Sequence, residues 1–71
     1  MCFSERLKSL RLQHKLTQSQ LAKAVGITER ACRYFEAGSR EPSYSVLLAI
    51  ADYFTCSLDY LTGRSDNPKR R

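Results

Sequence analysis

Residues 17–38 read TQSQLAKAVGITERACRYFEAG, and this stretch decides the fold. Counted from Gln18, the residues Leu21, Ala22 and Val25 share one side of a helix, and Gly26 then breaks the run. Ile27 comes next, Thr28 opens a second helix, and Cys32 and Phe35 return to the inner side. Two short helices joined by a tight turn are the pattern of a helix-turn-helix unit. Ala22 is small where the two helices approach most closely. Gly26 supplies the left-handed backbone that turns the chain without a Cβ clash. The spacing of Thr17 and Gln20 predicts a capping box at the start of the first of these helices.

Working outward, the sequence predicts five helices and no strand. The first helix covers residues 4–14, with Phe3, Leu7 and Leu10 on an i, i+4, i+7 stripe. The third ends before Gly38, a natural helix-stopping residue. SREPS is a loop, because Pro42 holds Glu41 extended and Ser43 caps the next helix. A fourth helix spans 44–54, with Leu47, Ile50, Ala51 and Phe54 on one face, and a short fifth, 58–62, turns Leu58 and Leu61 inward before Gly63. Residues 1–63 form one domain on this reading. Residues 64–71, RSDNPKRR, are polar and read as a basic, disordered tail.

With 71 residues there is room for one domain, and a domain this small buries only about 60% of its unfolded surface. No apolar run approaches the roughly 20 residues that span a bilayer. The opening MCFSERLKSLR has no apolar leader, so a cytoplasmic location is expected. Cys2, Cys32 and Cys56 are an odd number at wide spacing, neither a disulfide framework nor a metal site. Cys32 and Cys56 read as small buried apolar residues, Cys2 as an incidental thiol, and His14 has no nearby partner. No metal and no cofactor is expected.

The formal net charge is +5, and it is unevenly spread. Residues 1–40 balance to +5, residues 41–63 to −3 and residues 64–71 to +3. The basic half therefore contains the helix-turn-helix, as an electrostatic footprint on phosphate requires. The helix over 29–37 divides at about 100° per residue. Ala31, Cys32, Phe35 and Glu36 fall on an inner arc; Glu29, Arg30, Arg33, Tyr34 and Ala37 fall on an outer one. The outer types suit base edges: Arg donates two hydrogen bonds to guanine O6 and N7, and Glu accepts from cytosine N4. Arg33, central on that arc, is the expected main base reader. Glu29 is expected to bond to Gln18 or Arg33, or to read cytosine, and so to filter sequence rather than add affinity.

Taken together, ERLKSLR, LTQSQLAKAVGIT, FEAGSREPS, LLAIADYF and SLDYLTG resemble the Cro/cI-type helix-turn-helix proteins, the xenobiotic-response-element family, over residues 5–63. The resemblance implies an all-α, compact five-helix bundle of the lambda-repressor-like DNA-binding type. It also implies a homodimer on double-stranded DNA. By matching position, Glu29, Arg30 and Arg33, with Tyr34 beside them, face the bases. Thr17, Gln18, Ser39 and Arg40 hold the DNA backbone, Gln18 also bracing the recognition helix. Arg11 and Glu36 tie the first helix to the third. Glu29 departs from the glutamine common at its position, and a carboxylate cannot give adenine the donor–acceptor pair that glutamine gives. Cys32 and Phe35 replace the commoner branched aliphatics.

The function expected is a sequence-specific transcriptional regulator, most simply a repressor, reading an inverted-repeat operator through the third helix in the major groove. Dimer contacts are expected from the last two helices, with Tyr53 and Tyr60 as candidates. Regulation would run through concentration, a partner protein or DNA occupancy. The alternative is an antitoxin or other protein-interaction module that also binds its own operator, using the acidic 41–63 surface and Tyr44, Tyr53 and Tyr60. An enzyme is not expected. The sequence has no Ser/His/Asp, Cys/His or Gly-rich phosphate-binding constellation.

Overall fold

The computed structural model describes residues 2–65 and 67, and among them five helices and no strand. They are α1 (Phe3–Gln13), α2 (Gln18–Val25), α3 (Glu29–Ala37), α4 (Tyr44–Phe54) and α5 (Leu58–Leu61). Hydroxyl caps set the starts of four of them. The Thr17 hydroxyl accepts from the Gln20 N–H at 3.1 Å, and the Gln20 side chain accepts from the Thr17 N–H at 2.9 Å. Thr28, Ser43 and Ser57 cap α3, α4 and α5 in the same way, each accepting from the N–H three residues on. Cys2 is not incidental, because it is the N-cap of α1. Its N–H donates to the Glu5 carboxylate at 3.3 Å and its thiol to the same oxygen at 3.1 Å. These bonds, the thiol's first, hold Glu5 below its ordinary pKa.

The helix ends share one device. Gly26 has φ 79° and Gly38 φ 77°. After Gly38 the Ser39 N–H returns to the Tyr34 carbonyl at 3.0 Å, the longer bond of a Schellman turn. Lys15 (φ 55°) and Thr55 (φ 52°) end α1 and α4 by the same turn without glycine. Beyond the adjoining chain, nothing lies within 4 Å of where a Cβ on Gly26 would sit, so the constraint there is backbone handedness.

The five helices enclose one core. Leu7, Leu21, Cys32, Ile50 and Leu61 are fully buried, one from each helix. Ala22 is 2% exposed, which lets α2 and α3 approach. His14 caps α1 and has partners: its Nδ1 lies 2.9 Å from the Leu10 carbonyl, and its ring packs 4.9 Å from Phe54. The fifth helix is one turn, ending at Leu61. The Thr62 N–H and hydroxyl both donate to the Leu58 carbonyl, at 2.9 and 2.8 Å, where the helix stops.

Arg6 is the unexpected core residue. It is buried on the apolar side of α1, its Nε donates to the Tyr60 carbonyl at 3.0 Å, and its guanidinium lies 3.9 Å from the Tyr60 ring centroid. Nη2 reaches the Ser65 carbonyl at 3.4 Å. The Arg64 and Ser65 N–H groups donate to the Asp59 carbonyl at 2.8 and 3.1 Å. The chain is thus tied to the bundle two residues beyond the expected boundary at Gly63. Residues 66 and 68–71 of the expected tail lie outside the described residues. No described helix is long and apolar enough to cross a membrane.

Candidate nucleic-acid interface

Helix α3 turns Cys32 and Phe35 into the core and leaves Glu29, Arg30, Arg33 and Ala37 exposed, with Tyr34 half-buried. A helix needs only such a one-sided apolar stripe to dock and present the rest. The inner side is fixed by one carboxylate. Arg11 grips Glu36 with two parallel bonds, Nε to Oε2 at 2.7 Å and Nη2 to Oε1 at 3.1 Å, and its Nη1 donates to the Leu16 carbonyl at 2.8 Å. The Gln18 amide donates to Glu36 Oε1 at 3.3 Å, and the Cys32 thiol lies 3.6 Å from Oε2. Glu36 thereby joins α1, α2 and α3. The hydrogen bond from Arg11 to Glu36 raises the Arg11 pKa further above its ordinary value. Burial, then the adjoining Glu36 charge, pushes the Cys32 thiol up to about 11.

The outer side falls into two groups. Glu29 and Arg33, one helical turn apart, form an exposed ion pair between Oε2 and Nη2. Arg30 is held separately: its Nε donates to the Tyr34 hydroxyl at 3.1 Å. Arg40, from the loop beyond Gly38, lies over the same ring at 5.1 Å from its centroid. These residues with Thr28 and Ala31 line a surface groove of about 290 Å³. Of the residues singled out in the sequence, the structure joins Arg11 with Glu36 and Gln18, Glu29 with Arg33, and Arg30 with Tyr34 and Arg40. The Thr17 hydroxyl is occupied as the cap of α2, and Ser39 stands exposed beside Arg40. Tyr60, a candidate dimer contact, has one ring face covered by Arg6, whereas Tyr53 and Tyr44 are exposed.

Sequence reading missed the Arg40–Tyr34 contact. Its only trace is the glycine turn, which folds residue 40 back over residue 34. Among the described residues no group of three His, Cys, Asp or Glu is placed to hold a metal ion.

Residues 7–61 match the family described as helix-turn-helix. The chain belongs to the Cro/cI-type helix-turn-helix family. It is 48% identical over 67 residues to the uncharacterized HTH-type transcriptional regulator YqaE of Bacillus subtilis, covering 94% of this chain and 58% of that protein. It is 36% identical over 64 residues to the cryptic phage CTXphi transcriptional repressor RstR of Vibrio cholerae, covering 90% of this chain and 57% of RstR. The chain thus spans a little under three-fifths of these relatives. Among solved structures, the P22 c2 repressor in complex with a synthetic operator superposes with a TM-score of 0.85 at 32% identity. That match covers 92% of this chain and 98% of the repressor chain. The family is one of transcriptional regulators, and its fold is the five-helix arrangement described above.

Proposed function

We propose that this protein is a sequence-specific regulator that binds double-stranded DNA as a homodimer, represses transcription, and reads an inverted repeat with α3 in the major groove. The observation that carries the reading is the outward face of α3, with Arg30 and Arg33 exposed on a helix that the buried Glu36 network holds rigidly. Support comes from the P22 c2 repressor, whose chain superposes on this one and was solved on its operator. Glu29, Arg30, Arg33 and Tyr34 form the base-facing set on this reading; Thr17, Gln18, Ser39 and Arg40 form the backbone-facing set.

Two recognition helices must lie about 34 Å apart to enter successive major grooves on one face. The bound site is therefore a two-fold repeat. A dimer making about 6–10 phosphate contacts loses roughly 10³–10⁵ in affinity between about 50 and 200 mM salt. Selection from a random duplex pool, followed by titration across that salt range, tests both points. Salt-independent binding, or a selected site with no two-fold symmetry, would sink the reading.

A further inference from the structure

Arg33 and Arg30 stand on the same exposed face of α3, yet the structure treats them differently. Arg33 spends Nη2 on Glu29, and the pair is electrically neutral. Arg30 spends only Nε, on the Tyr34 hydroxyl at 3.1 Å. The bond is made by Nε, so both terminal nitrogens stay together as a fork and the tether limits its direction, whereas the Glu29 pair takes one terminal nitrogen of Arg33. Bidentate reading of guanine O6 and N7 needs such a fork: two coplanar N–H groups in a set direction.

Arg40 approaches the same ring from the loop. Its guanidinium lies 5.1 Å from the Tyr34 ring centroid, that of Arg30 5.7 Å from the same centroid. Two like charges converge on one ring, and no carboxylate lines the groove between them. Their repulsion is relieved by an anion. On a duplex, the anion beside a base edge is a backbone phosphate.

We propose that Tyr34 is the positioning residue of the interface: its hydroxyl sets Arg30 as the guanine reader, and its ring seats Arg40 against the neighbouring phosphate. This rests on the DNA-binding reading above and moves the guanine contact from Arg33 to Arg30. It also makes base reading and backbone anchoring one coupled unit.

The test uses the selected duplex, each of its single-base variants and a scrambled duplex, titrated with the full chain over a range of salt. Tyr34→Phe keeps the ring and removes the hydroxyl. It should cut discrimination at one guanine of each half-site by about tenfold and leave the salt slope as in wild type. Tyr34→Ala should lose that discrimination and also flatten the slope, by about 0.9 for each phosphate no longer neutralised. Arg30→Ala should copy the Tyr34→Phe change in preference, while Arg33→Ala should weaken binding, or alter preference at a different base pair, without removing that guanine preference. A merely structural tyrosine would weaken all duplexes equally and lower the melting temperature of Tyr34→Phe. That outcome overturns the proposal, as does a guanine preference that follows Arg33. A wild-type chain with no preference among duplexes overturns the DNA-binding reading itself, and the proposal with it.

Discussion

Helix α3 carries one guanidinium–carboxylate pair in its first turn and joins another in its last. Glu29 and Arg33 are 44% and 62% exposed; Glu36 and Arg11 are 4% and 12% exposed. The chemistry is the same and the energetics are opposite. Water solvates the outer pair almost as well apart as together, so it contributes at most about 1 kcal/mol to stability. The inner pair has given up its water. Its two parallel bonds, with Gln18 and Cys32 alongside, supply the replacement, and removing one member strands a buried charge. The contrast separates what holds the recognition helix from what it can offer.

The comparison breaks most visibly at Arg11. Arg11→Ala should cost about 3 kcal/mol, at the low end for a severed buried pair because some water reaches the arginine. For a domain of this size that lowers the melting temperature by roughly 12–24 °C. Loss of stability should precede any change in base preference. A variant that melts like wild type but no longer binds would make Arg11 a DNA contact instead.

A smaller effect sharpens the inner side. The folded state holds the Cys32 proton up to about pH 11, whereas an unfolded thiol releases it near about 8.5. The raised folded pKa gives a contribution fully present below the unfolded value and lost as pH rises through that window. Unfolding free energies of wild type and Cys32→Ala, measured at neutral and alkaline pH, should show the wild type losing more. Equal losses would mean that the thiol's burial does not couple to folding. The smallest change in stability belongs to the outer pair. Glu29→Gln should alter stability by less than about 0.5 kcal/mol. It should raise affinity for scrambled duplex, because a carboxylate facing a polyanion is gone. Unaltered affinity for every duplex would place Glu29 away from DNA.

The fold was largely legible because its signals are local. Thr17, Thr28, Ser43 and Ser57 announce helix starts, and Gly26 and Gly38 announce stops. The stops at Lys15 and Thr55 were not marked, because non-glycine residues carry the positive φ there and nothing in their side chains advertises it. At the site, helical phase sorted α3 into inner and outer arcs, and the structure places Cys32 and Phe35 inside and the arginines outside. Phase could not say which outer residues would hold one another. The Arg30–Tyr34–Arg40 grouping depends on where a loop returns, and Arg6 looked like any charged residue on a helix. Its burial depends on α5, more than fifty residues away in the chain.

That distance has a kinetic side. Contacts among α1, α2 and α3 close short loops, whereas the bond from Arg6 to the Tyr60 carbonyl closes a ring with a sequence separation of 54. The entropy of such a closure is met only once the intervening chain is already compact. The docking of α5 is therefore expected in the last stage of folding. Because α5 is a single turn, held by Leu61 in the core, by Leu58 and Tyr60 at its edge and by this arginine, it is the part expected to open first. Amide exchange in the folded protein should then run faster along the seam between the two ends of the bundle than in the helix-turn-helix.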